Sequence, residues 1–396
     1  MSTEPTPAAP STPGPTGGVA GVTASPNPTP SPEAAVVPPG AGNPPPHRRS
    51  QFEPLFAASI VGPEGVTLDP NVLATNAALT LIFVFFFGLT AEIFNSTIDE
   101  NRDEIEGWMH RLTHGPLRVL APLAELDGRL DRLSESGRRG AFLHGLVVLA
   151  LIGIVYGFLS PDFGFNAASA ILLVSLVLGI GFVTYLSEGG TSLLVIRRHH
   201  APSTVRLYGT AVGVAVVCVL ASRLVGFAPG LVYGFMASSV ILTPLALGRR
   251  EEASLVLLPA LALLAVALVA WLLLQPIQAA TSTDGTWYMA LVEAVLSTIF
   301  VAGLEGLLFN LLPLHFMDGA VVMRWSRLGW GLTFGTVMFL WWQLLLNRDA
   351  AYVDAFRQTS VSAVIGVLVV FMLTTGVTWT FFRLREHPET ETEGEA

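Results

Sequence analysis

Residues 309–319 read FNLLPLHFMDG, at the end of a long apolar run. His315 and Asp318 stand three apart, so on a helix both would face one way, and both are metal-donor types. A catalytic zinc takes three protein donors and keeps one position for water, so this pair alone does not complete a site. The same residues also suit a structural role. Pro313 interrupts a helix near its end, Gly319 permits a tight turn, Asp318 can cap the next helix, and Asn310 can satisfy carbonyls freed by the proline.

A second polar cluster is YLSEGGTSLLVIRRHH, residues 185–200, with Glu188 as a candidate general base. Gly189 and Gly190 permit close approach of another backbone, as small residues do between membrane helices. His199 and His200 lie ~17 Å along a helix from Glu188, too far to share a metal with it, and suit the membrane interface.

Glu188, Arg223, Glu293 and Glu305 lie deep in apolar runs. A charge at a helix centre costs ~2.5–3.5 kcal/mol to insert, so these four must point into the bundle, pair, protonate or line water. Arg223 and Glu293 fall at the same end of their runs and are expected to pair. Glu92 and His144 lie near enough to run ends to reach water.

The elements that must hold these residues are membrane helices. Of 396 residues, 52% are hydrophobic and 13% charged, about half the charge of a soluble domain. The apolar residues fall in blocks of roughly 20, the length that spans a bilayer as helix. The expectation is an all-α polytopic integral membrane bundle of about nine spans: 72–94, 141–160, 167–196, 207–226, 229–248, 253–275, 287–312, 328–346 and 361–382. All 21 basic residues are arginine, and 16 of them fall in alternate connections and after the last span. By the positive-inside rule that side is cytoplasmic, with the N-terminus outside and the C-terminus inside the cell membrane.

A net charge of −9 without a basic cluster excludes nucleic acid as a partner. The single cysteine, Cys218, lies in an apolar run and excludes a disulfide framework. Residues 1–50 hold 14 of the 27 prolines and too little apolar surface to offset ordering. The expected domains are a disordered extracytoplasmic tail over 1–70, a helical membrane domain over 71–385 and an acidic cytoplasmic tail over 386–396. Within 96–140, Ile105, Trp108, Met109 and Leu112 recur at helical spacing, predicting an amphipathic cytoplasmic helix. The Asn95 sequon would be cytoplasmic and unglycosylated.

Two resemblances follow from these motifs. FNLLPLHFMDG after Glu305-Gly306 resembles the signature of the actinobacterial FGLLP motif-containing membrane proteins, with Asn310 where that family usually has Gly. AEIFNSTIDENRDEIEGW at 91–108, SRLVGFAPGLVYG at 222–234 and the run 318–327 resemble the same family, which implies no activity. More remotely, the layout is similar to site-2 proteases, intramembrane zinc enzymes with HExxH on one span and a later Asp-Gly. SEGGT at 187–191 lines up with HExxH, and Asp318-Gly319 with the Asp-Gly. Ser187 and Thr191 occupy the two histidine positions, so no zinc or other cofactor is expected.

The sequence therefore favours a non-catalytic pseudo-protease: a scaffold that contacts lipids and binds a membrane protein partner, with Glu188 and Asp318 as the remnants of catalysis. The alternatives are an active intramembrane metalloprotease with substitute ligands such as His315 and Asp318, or a proton-coupled transporter of small solutes using the buried carboxylates.

Overall fold

In the computed structural model, residues 51–107, 138–227, 230–233, 237–243 and 245–386 are described. The 1–50 tail, most of the amphipathic segment and the acidic C-terminal tail lie outside these residues.

Among the described residues, seven helices are long and apolar enough to cross a membrane, consistent with the expected helical bundle. They are α2 (Pro70–Glu100), α3 (Arg138–Gly157), α4 (Ala167–His199), α6 (Arg249–Asp284), α7 (Trp287–Asn310), α9 (Arg327–Trp341) and α11 (Thr359–Glu386). α9 runs on as a π-helical turn over Trp342–Leu346. Short helices α1 (Leu55–Ala58), α8 (Asp318–Trp325) and α10 (Val353–Arg357) connect or flank them.

Local chemistry sets the helix ends. Asp69 accepts the Asn71 amide at 2.7 Å ahead of Pro70, and Asn166 accepts that of Ser169 at 2.8 Å, each satisfying a free N-terminal donor. At the other end of α4, Arg197, Arg198 and His199 complement the helix dipole, and His200 closes it in the left-handed region (φ 51°).

α7 is the central helix. A run from Ser297 to Leu308 is buried on every face, which is why its apolar pattern shows no stripe. It packs on α4 through Gly179, where a β-carbon would stand 2.6 Å from the Thr298 methyl. That contact requires glycine and sets the crossing distance. α11 has many large apolar side chains exposed, as a peripheral span facing lipid tails would.

Two expectations change. The described residues of the run 229–248 do not form a span. α5 (Thr210–Val225) is only 16 residues long, and among the described residues after it the returning chain forms no helix. It ends in β2 (Ala237–Ile241), antiparallel to β1 (Ser203–Leu207), with Val205 opposite Ser239. Gly226 (φ 69°) ends α5, and Val240 and Ile241 favour an extended strand. The tail boundary also moves. Residues 51–66 dock on the bundle because Phe56, Ala57 and Ile60 bury apolar side chains there. Trp271 and Gln278 of α6 donate to the carbonyls of Val61 and Ile60, each at 3.0 Å.

Candidate functional site

The described residues of the returning segment make no helical hydrogen bonds, so their amides need other acceptors. Side chains supply them. Ser222 Oγ accepts from Leu231 N at 2.8 Å and Glu305 Oε2 from Val232 N at 2.6 Å. Tyr156 Oη accepts from Tyr233 N at 2.9 Å and Glu188 Oε2 from Ser239 N at 2.8 Å. Glu305 is wholly buried and Glu188 is 9% exposed. Trp341 Nε1 lies 3.4 Å from the other Glu305 oxygen. Two of the four ionisable residues expected to be buried thus clamp non-helical backbone inside the bundle.

The other two do not pair with each other. Arg223 is exposed and donates through Nε to Phe158 O at 3.1 Å. Its guanidinium caps the chain just beyond α3, a carbonyl no helix satisfies. Glu293 is 1% exposed and faces Glu53 from the docked N-terminal segment. His144 is also buried rather than near water, while Glu92 stays partly exposed beside Arg327 at 2.9 Å.

The FNLLPLHFMDG turn joins α7 to α8. Asn310 Nδ2 donates to Asp318 Oδ2 at 2.8 Å. Burial pushes the Asp318 carboxyl above the ordinary carboxylate range, and the Asn310 hydrogen bond works against that. Asp318 lies within electrostatic range of Glu188, and Tyr233 within range of both carboxylates. The helix carrying SEGGT and the turn carrying Asp-Gly thus lie within electrostatic range of each other, with Tyr233 of the returning segment in range of both, while α8 itself packs on α6. Gly319 is obligatory, since a β-carbon there would stand 2.1 Å from Leu311 O.

Asn310 does not satisfy the freed carbonyls. Trp330 Nε1 donates to Leu311 O at 2.8 Å, and Asn95 Nδ2 donates to Pro313 O at 2.8 Å. Asn95 Oδ1 then accepts His315 N at 2.8 Å, so one side chain clamps both sides of the turn. Met317, not Asp318, is the cap residue of α8. A second polar network was missed from sequence. Asn76 Nδ2 donates to Gln343 Oε1 at 2.7 Å, and Asn347 Nδ2 returns a bond to Asn76 Oδ1 at 2.7 Å. Amides isolated inside apolar runs were its signal.

The side chains at the protease-like ligand positions have other partners. Thr191 stands 3.2 Å from the carbonyls of both Ser187 and Leu255, where its hydroxyl is engaged. His315 Nδ1 faces Asp99 at 3.4 Å, whereas Asp318 faces Asn310. Of the glycine pair beside Glu188, a β-carbon at Gly190 would stand 3.4 Å from Pro259 Cβ, and one at Gly189 would meet nothing within 4 Å. Among the described residues, no three His, Cys, Asp or Glu side chains are grouped to hold a metal. No family model, curated protein or solved structure matches the chain.

Proposed function

We propose that the protein is a cell-membrane scaffold that binds a membrane segment of a partner protein without cutting it. The observation that carries this is the electrostatic proximity of Glu188, Tyr233 and Asp318, the last held by Asn310, a protease-like layout of α4 and the Asp-Gly turn that lacks imidazole donors. Zinc catalysis needs three good donors and an activated water. Hydroxyls at Ser187 and Thr191 supply neither, so the likeness to site-2 proteases extends to layout and not to chemistry. The likeness to the FGLLP motif-containing membrane proteins belongs to this same reading.

Arginine placement supports an N-terminus outside and a cytoplasmic C-terminus. Replacing two expected spans by α5 and its returning strand leaves that alternation intact, because both arrangements begin and end on one side. The protease-like junction then lies toward the cytoplasmic face. The transporter reading is weaker, because Glu188 and Glu305 are engaged with backbone amides.

The test is purification in mild detergent, with metal analysis and identification of co-purifying membrane proteins. The expected result is no stoichiometric zinc and a specific partner lost in Asn310→Leu. Stoichiometric zinc, or cleavage of a membrane-embedded peptide abolished by Glu188→Gln, would overturn the proposal.

A further inference from the structure

The end of α2, the 309–319 turn, α8 and the start of α9 enclose a polar cavity of about 540 Å³, within the ~300–1,000 Å³ of small-molecule sites. Its lining carries both signs of charge. Arg327 neutralises Glu92 at 2.9 Å. Asp99 faces only the His315 ring, at 3.4 Å. Arg324 is exposed and, among the described residues, has no acidic partner. One cation and one carboxylate are therefore left uncompensated. Arg324 and Asp99 line the same cavity yet form no ion pair with each other. The two bonds from Asn95 to the turn fix this side of the cavity. α9 begins at Arg327, so the positive end of its dipole lies at the same edge.

Charges are excluded from the hydrocarbon interior, so a cavity lined by Glu92, Asp99, Arg324 and Arg327 belongs at the level of lipid headgroups. α2 and α9 are both apolar enough to cross a membrane from there. Leu328 and Leu332, four apart on one face of α9, are exposed and run from beside Arg327 into the apolar span. A soluble phosphate would find charge here but would leave that strip uncovered, whereas a phospholipid satisfies both. The charges also select the headgroup. Arg324 and the N-terminus of α9 suit a phosphodiester, and Asp99 suits an ammonium group that can donate to it. A headgroup with negative charge alone would meet repulsion from Asp99.

We propose that this cavity binds a zwitterionic phospholipid with a primary amine headgroup, of the phosphatidylethanolamine type. Its phosphate lies on Arg324, its ammonium on Asp99 and one acyl chain along Leu328 and Leu332. The bound lipid ties the end of α2 to α8 and α9. The proposal is independent of the partner-binding reading above.

The test is native mass spectrometry of the delipidated full-length protein in detergent, titrated with phosphatidylethanolamine, phosphatidylcholine or phosphatidylglycerol. The expected result is one phosphatidylethanolamine per chain, held about 10-fold more tightly than either of the other lipids. Arg324→Ala should weaken binding of phosphatidylethanolamine by at least ~10-fold, because a charge-assisted bond to the phosphate is lost. Asp99→Asn should remove the preference for the amine headgroup while phosphate binding persists. Both side chains are exposed, so both variants should fold, which size-exclusion chromatography checks. Glycerophosphoethanolamine, the same headgroup without acyl chains, should fail to displace the lipid at equal concentration. Equal binding of the three lipids would overturn the proposal, as would displacement by the soluble headgroup. So would wild-type binding or selectivity in the folded Arg324→Ala or Asp99→Asn variant, respectively.

Discussion

The backbone amide of Val232 and the carboxylate of Glu305 meet at 2.6 Å inside the bundle, 73 residues apart in the chain. This contact lets an extended segment lie where lipid and helices offer no acceptor. Replacing Glu305 by Leu leaves the Val232 amide, and the Trp341 indole beside it, without an acceptor. An unsatisfied buried donor costs about 1–3 kcal/mol. Glu305→Gln keeps an acceptor oxygen for Val232. Thermal unfolding in detergent should therefore show a large loss for Leu and a small one for Gln. Equal losses would mean the hydrogen bond is not what matters.

Asn95 ties the 309–319 turn to α2 through two bonds, one to each side of Leu314. Asn95→Ala should loosen that turn at a cost of about 1–3 kcal/mol, with faster amide exchange at residues 314–317 and little change in α4. Unchanged exchange there would show that Trp330 alone holds the turn.

Gly319→Ala should be among the most damaging single-methyl changes in the chain. The new β-carbon would fall 2.1 Å from Leu311 O, a backbone atom that cannot move aside as a side chain can. Gly366→Ala, on α11 with nothing within 4 Å, is the matched control. The expected outcome is a sharp fall in folded yield for the first and none for the second, measured by size-exclusion chromatography of detergent extracts.

These three sites differ in how far they could be read in advance. Apolar blocks of span length revealed the long helices, because bilayer thickness sets their length. The same rule failed at 229–248, where an apolar run is equally compatible with a buried strand. What decides that segment is the set of acceptors on Glu188, Glu305 and Tyr156, all distant in sequence. Asn310 and Asp318 could be linked by their spacing, since eight residues around a proline turn keep them near. Asn95 could not, because its two partners lie about 220 residues away and its sequon suggested a different chemistry. Burial of Glu293 is legible from its apolar run, whereas Glu53 lies in the Pro-rich stretch before the first span, and only the fold brings it near Glu293.

The last prediction tests the protease-like layout directly. Ser187 and Thr191 are four apart on α4, so both side chains lie on one face, with Glu188 adjacent. Asp318 lies within electrostatic range of Glu188. If hydroxyls in place of imidazoles are what deprives the site of metal, then Ser187→His with Thr191→His should create a three-donor set with Asp318. The double variant should bind zinc with about one ion per chain, released by a chelator and abolished by adding Asp318→Ala. Either single histidine supplies only two donors and should bind far more weakly. No uptake by a folded double variant would show that the helix and the turn meet at the wrong angle, and the likeness to a zinc protease would then be confined to its motifs.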